Sequence, residues 1–229
     1  MMNDNLSTAA ILRIFTDEVQ HRGGRVTDSF HDGQRLFLRS LLPGVKEVRP
    51  KDRLQGGLAL RATDEELWLH PYLYRQVCRN GAVMAQALES LHVECLGLYT
   101  VEEGTDMLCE AIARCSAKEV FARSVRRVRS AATTEVDELL NLMPHLAQLR
   151  RGNMRRFLDE ILERFTTGRD RTRFGLMNAV TSVARDTRDP DARWRLEELG
   201  GGIGARLRPK RPSPAPEHAR GNALAAIHV

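Results

Sequence analysis

The chain changes its punctuation near residue 100, and that change limits its fold more than any other feature. Before it, Gly23-Gly24, Pro43-Gly44, Gly56-Gly57 and Asn80-Gly81 cut the sequence into short runs. Such runs suit strands and turns rather than long helices. After it, apolar residues recur at helical spacing over stretches of 12 to 30 residues. The expected class is α+β, a small mostly antiparallel sheet from residues 33–98 packed against a helical second half.

Residues 6–22 read as a helix with a stripe of Leu6, Ile11, Ile14, Phe15 and Val19, ended by Gly23-Gly24. Leu36 to Leu41 and Val45 to Val48 read as strands. Leu58–Ala62 and Leu67–Leu69 read as a hairpin turned by Thr63-Asp64-Glu65-Glu66. Pro71 suits the first turn of a helix and Asn80-Gly81 its end, so residues 71–80 read as a short helix, with an extended continuation of the strand as the alternative. A second helical piece is expected from Ala82 to Glu89. Leu91, Val93 and Cys95 alternate with polar residues as in a half-buried strand.

Thr100 with Glu103 is a capping box and predicts one long helix to about Ala131. Thr134 with Asp137 predicts the cap of the next helix, and Pro144 its bend or end. Asn153 caps an amphipathic segment in which Met154, Phe157, Leu158, Ile161, Leu162 and Phe165 share one face. Its other face carries Glu160 and Arg164 at ion-pair spacing. Asp170 is expected to cap a further helix. Asp189-Pro190 starts a last one, with Gly200-Gly201-Gly202 as its stop. Residues 1–100 and 101–204 are expected to share one core. Residues 205–229, basic and rich in proline, are expected to be disordered.

Composition narrows the function classes. Aromatic residues are only 5% of the chain, fewer than a base-stacking platform ordinarily uses. The cysteines Cys78, Cys95, Cys109 and Cys115 form no CxxC pair, and no secretory leader or apolar run of membrane-spanning length is evident. The expectation is a cytoplasmic bacterial protein with reduced thiols and no membrane partner. The formal charge is +5, and all of it lies beyond residue 100.

Basic residues are nearly all arginine, whose planar fork suits phosphate and carboxylate. Arg123, Arg126, Arg127 and Arg129 fall on one helix, and Arg150 and Arg151 follow. These six are the candidate contacts to DNA or RNA. Cys78, near Arg75 and with His70 or His92 as a base, is a candidate nucleophile, although no third orienting residue can be named. His70, Cys78, His92 and Cys95 lack the paired short spacings of a zinc site. Cys109 and Cys115, six apart on a helix, face different ways. Gly200 to Gly204 follow a helix, so they make no phosphate loop. No metal, cofactor or catalytic residue is assigned. Three readings stand: a non-catalytic nucleic-acid-associated protein, an interaction or homo-oligomeric assembly module using the helix at 154–165, and a thiol-dependent enzyme centred on Cys78.

Two islands resemble a known family. The first runs from Asp52 through Arg75, Cys78, Asn80 and Gly81, and the second contains Asn178 and Thr181 in Phe174-Gly-Leu-Met-Asn-Ala-Val-Thr181. They resemble the phage/plasmid-like proteins catalogued as domain of unknown function 932. One departure is Lys51, which stands where that pattern has glycine. The resemblance implies no established activity, only a lean towards the DNA metabolism of mobile elements, such as replication or recombination.

Overall fold

A computed structural model describes residues 6–85, 89–94, 96–136 and 155–205. The fold is α+β. Helix α1 (Thr8–His21) is capped by Ser7, whose hydroxyl accepts from the Ala10 amide at 3.2 Å. Its residues Ile11, Phe15 and Val19, four apart, are fully buried. Seven antiparallel strands follow: β1 (Arg25–His31), β2 (Leu36–Leu41), β3 (Val45–Arg49), β4 (Asp52–Ala62), β5 (Leu67–Arg75), β6 (Asn80–Val83) and β7 (Leu91–Val93). The sheet therefore begins earlier than expected, at Arg25. Its first strand is mostly exposed, which is why alternation there is faint.

The long β4–β5 hairpin is the spine, with register from Leu54↔Arg75 to Ala62↔Leu67. Strands β2 and β3 share the outer edge of β4, and β6 and β7 share the outer edge of β5. The other helices are α2 (Val101–Cys115), α3 (Lys118–Ala131), α4 (Arg156–Thr167), α5 (Arg173–Asp186) and α6 (Pro190–Ala205).

Helices cover both faces of the sheet. Leu36, Leu38, Leu58, Leu60, Leu67 and Leu69 pack with Phe15 of α1 and Leu108 and Ile112 of α2. The alternate residues Phe37, Leu41, Ala59, Tyr72 and Val83 gather round Trp194 of α6. A third cluster joins Leu54, Leu73 and Met84 at one end of the sheet to Val128, Phe165, Phe174, Val180 and Ile203 of the later helices. With helices on both faces, β2 is buried along its whole length, Arg39 and Ser40 included, instead of alternating.

Five expectations are corrected. Residues 71–75 are strand, 76–79 are a turn, and 80–83 are strand, so no helix forms at 71–80 and the extended alternative holds. Pro71 is tolerated inside β5 because its missing N–H points away from β4. On that side its carbonyl accepts from Met84 N at 2.8 Å, in the gap between the pairings of β6 and β7. The helical piece expected from Ala82 begins instead as strand.

The helix from Thr100 keeps its capping box but divides at Ser116-Ala117. The break lets α2 bury Leu108 and Ile112 in one cluster while α3 buries Val125 and Val128 in another. Thr172, not Asp170, caps α5; Asp170 instead accepts from the Thr172 amide at 3.1 Å and hydroxyl at 2.6 Å. The Asp137 and Asn153 caps, the Pro144 bend and the tail fall outside the described residues.

Helix α6 does not stop at Gly200-Gly201-Gly202 but continues to Ala205. Its glycines permit close approach: a Cβ on Gly201 would lie 1.9 Å from the Val83 carbonyl oxygen. Helix propensity alone predicts that Gly201→Ala gains about 1 kcal/mol. The contact with backbone reverses the sign, and we expect a net loss of about 1–3 kcal/mol from forced separation of α6 and β6. A urea midpoint shifted downwards is the expected result, and an upward shift rejects the packing argument.

Candidate functional site

The two sequence islands, a hundred residues apart, meet where the β5–β6 turn rests on α5. Arg75 ends β5 and pairs with Asn80 across the hairpin. Its guanidinium forks onto Asp52, the first residue of β4, through Nε at 2.8 Å and Nη2 at 2.6 Å. Burial works against the Arg75 charge, but bonded Asp52 outweighs it and holds Arg75 above its ordinary value. The remaining nitrogen, Nη1, donates to Cys78 Sγ at 3.1 Å. The guanidinium also lies over the Phe174 ring, 5.3 Å from its centre. Lys51, just before Asp52, has φ of 66°, the region glycine enters without strain.

Asn80 Nδ2 donates to Thr181 Oγ1 at 2.5 Å, and the Thr181 hydroxyl donates to Met177 O at 2.9 Å. Arg185, on the last turn of α5, donates from Nη1 to the Cys78 carbonyl at 2.8 Å and pins the turn. Beside it Asp186 accepts from Arg185 at 2.8 Å and contacts Arg164 of α4 at 3.0 Å. Hydrogen bonds from Arg185 hold the Asp186 carboxyl below the usual carboxylate range. Arg164 also reaches Glu160 and the Ser182 hydroxyl, the latter at 2.7 Å.

Between turn, α4 and α5 lies an open cleft of about 770 Å³. Five arginines line it: Arg75, Arg79, Arg164, Arg169 and Arg185. Three are engaged as described. Arg79 and Arg169 are exposed, and neither meets a carboxylate among the described residues. Arg79 has φ of 51°, so the turn holds it in a backbone conformation that few side chains favour. Asp170 at the rim is bonded to Arg49 at 2.6 Å, which leaves its charge matched. Burial would raise the Asp170 carboxyl, but bonds from Thr172 and Arg49 lower it overall. The cleft is chemically an anion site with a cysteine half-exposed in its wall.

The four α3 arginines proposed from sequence do not line this cleft. Arg123 is paired with Glu89, and Arg129 donates to the Glu47 carbonyl from Nε at 3.0 Å. Arg126 is exposed and Arg127 half-buried on α3. Arg150 and Arg151 fall outside the described residues.

His70 and His92 cannot serve Cys78 as a base. His70 is five residues from Arg75, roughly 17 Å along the strand, and faces Trp194. His92 stacks on Trp68 with ring centres 4.7 Å apart. Cys95 lies outside the described residues, and among those described no group of three or more His, Cys, Asp or Glu could hold a metal ion. Cys115 is buried and donates to Glu89 O at 2.9 Å, and burial pushes its thiol up to about 12. No helix among the described residues is long and apolar enough to cross a membrane.

Sequence reasoning missed Arg79, Arg164, Arg169 and Arg185 as members of one site. Arg164 carried a signal, but its i,i+4 spacing from Glu160 pointed to a solvated pair. The chain matches no protein-family model, no curated protein and no solved structure.

Proposed function

We propose that the protein is a non-catalytic nucleic-acid-associated protein that holds phosphates in the cleft beneath the β5–β6 turn. The carrying observation is the pair of exposed arginines, Arg79 and Arg169, on a wall whose other arginines are already held by carboxylates. Fixed ion pairs give the wall its shape, and the two unmatched guanidinium groups supply net positive charge. Arginine forks bind phosphate oxygens in two-point fashion.

A role in mobile-element DNA metabolism, and a place in the phage/plasmid-like family catalogued as domain of unknown function 932, belong to the same proposal. They are supported by the meeting of Asp52, Arg75, Cys78, Asn80, Asn178 and Thr181 around one cleft.

Binding of a fluorescent single-stranded oligonucleotide is expected to weaken steeply with salt. In the double variant Arg79→Glu/Arg169→Glu, the slope of log affinity against log salt is expected to flatten by about 1.4, at about 0.7 for each lost phosphate contact. Binding that ignores salt, or a variant with an unchanged slope, rejects the proposal.

One observation favours a second reading, thiol chemistry at Cys78: the 3.1 Å contact from Arg75 Nη1 to its sulfur. On this reading Cys78 is alkylated by iodoacetamide at least tenfold faster than a model thiol, and Arg75→Gln removes the difference. A rate equal to that of the model thiol leaves the cysteine as part of the wall only.

A further inference from the structure

A second cavity, of about 290 Å³, lies between α3 and the sheet, and it shares no lining residue with the arginine cleft. Local geometry builds both of its walls. On α3, Lys118, Phe121, Ala122 and Val125 are spaced i, i+3, i+4 and i+7, so they form one stripe, and all four line the cavity. On the sheet, register pairs Lys46 with Leu54 and Gly56 with Leu73, and directly opposed residues share a face. These four line the cavity as well. A Cβ on Gly56 would lie 2.7 Å from the Phe121 ring, so the ring rests directly on the strand.

The interior is apolar. Leu54 and Leu73 are each 2% exposed and Val125 is 4% exposed. Among the described residues, the polar side chains of the lining are those of Lys46, Lys118 and Glu119, and all three residues are exposed. Only four of the 35 basic residues in the chain are lysine, yet two of them stand on this one rim. Neither ammonium group has an ion-pair or hydrogen-bond partner among the described residues. Two ammonium groups against one carboxylate leave a single net positive charge there, which a monoanion balances. A lysine stem also lies readily along apolar surface while its charge stays in water.

We propose that this cavity binds a medium-chain fatty acid, with its alkyl chain against Leu54, Leu73, Phe121 and Val125 and its carboxylate between Lys46 and Lys118. An apolar interior with a few placed polar groups is the usual form of a small-ligand site. The volume falls at the small end of the range for such sites, about 300–1,000 Å³, which suits one slim chain better than a two-chain lipid. A nucleotide does not fit this chemistry, because its base needs polar partners that the interior lacks.

The test is calorimetric titration of the full chain with hexanoate, octanoate and 1-octanol, each below its micelle or solubility limit. Octanoate is expected to bind about tenfold more tightly than hexanoate, from two further buried methylenes. It is expected to bind about fivefold more tightly than 1-octanol, from the two exposed charge contacts. Lys46→Gln/Lys118→Gln should remove the advantage over 1-octanol and leave 1-octanol binding unchanged. Ala122→Phe, which fills the cavity from the helix side, should abolish binding of all three; the surface lysine variant keeps the test valid if that one does not fold. Arg79→Glu/Arg169→Glu should leave octanoate binding as it is. No octanoate binding, equal affinity for octanoate and 1-octanol, or an advantage that survives loss of both lysines overturns the proposal. So does octanoate binding that survives Ala122→Phe in a folded variant, or that is lost with Arg79 and Arg169, since the ligand then lies elsewhere.

Discussion

Glu197→Ala is expected to lower the stability of the fold by about 3–5 kcal/mol, because it strands a buried positive charge. Glu197 is 1% exposed and Arg39 is 4% exposed. They join through Arg39 Nε and Glu197 Oε2 at 2.8 Å, between β2 and α6. Arg193 closes the far side, donating to Glu197 Oε1 at 3.1 Å and contacting Asp28 at 2.8 Å, while Asp28 takes Arg39 at 3.1 Å. Two cations and two anions balance. Burial opposes the Arg39 charge, yet Glu197 outweighs it and keeps the guanidinium above its ordinary value.

Removing Glu197 leaves Arg39 with Asp28, which is one-third exposed and screened by water. Asp28→Ala should therefore cost about 1 kcal/mol or less, since the buried partner remains. The double variant Arg39→Met/Glu197→Leu should recover most of the loss, because no charge is then left in the interior. Urea unfolding of the three variants checks the order. If Glu197→Ala costs no more than Asp28→Ala, the buried pair does not hold α6 to the sheet. Because α5 packs beside α6 and carries Asn178 and Arg185, loosening α6 should also weaken binding in the cleft.

The α+β division was legible because turn residues and helical spacing are local signals. The β4–β5 hairpin, the capping box at Thr100 and the start of α6 at Pro190 were legible for the same reason. Pro71 and the glycines at 200–204 misled because their usual meanings are also local. Pro71 lies in a strand only because β6 and β7 leave a gap opposite its nitrogen. The glycines lie in a helix only because Val83 and Met177 press against it. Neither neighbour is near in sequence.

The cleft was hidden for the same cause. Asn80 and Thr181 are 101 residues apart, and no spacing rule joins them. The family resemblance singled out both islands without saying that they touch. The arginines of α3 stood out on the page as a run. Arg79, Arg164, Arg169 and Arg185 come from the turn, α4, the α4–α5 connection and α5, so their convergence belongs to the tertiary structure alone.

The second large effect concerns His70 and appears on acidification. The imidazole is 5% exposed against Trp194, and both of its nitrogens lack partners among the described residues. Glu198 Oε1 is 3.8 Å from Nε2, too far for a hydrogen bond. Burial, with a smaller push from His92, lowers the His70 pKa from 6.5 to about 4. The ring is thus neutral at pH 7 and forms no ion pair.

Its folded pKa is below its unfolded one, so between those values the unfolded chain binds the additional proton. Stability from this group is complete above pH 6.5 and is lost as pH falls towards 4, by about 3 kcal/mol in all. Burial raises the Glu198 carboxyl, and that group works in the opposite direction over acid pH. A comparison with His70→Phe isolates the histidine. At pH 7 the variant should match or exceed the parent, since an aromatic ring of similar size replaces two unpaired nitrogens. Between pH 6.5 and 4 the parent should lose about 3 kcal/mol more than the variant in urea unfolding, and the His70 ring resonance should titrate near 4 in NMR. Parallel stability curves, or a ring that titrates at its ordinary value, would show that water reaches His70 and that Trp194 does not seal this face of the sheet.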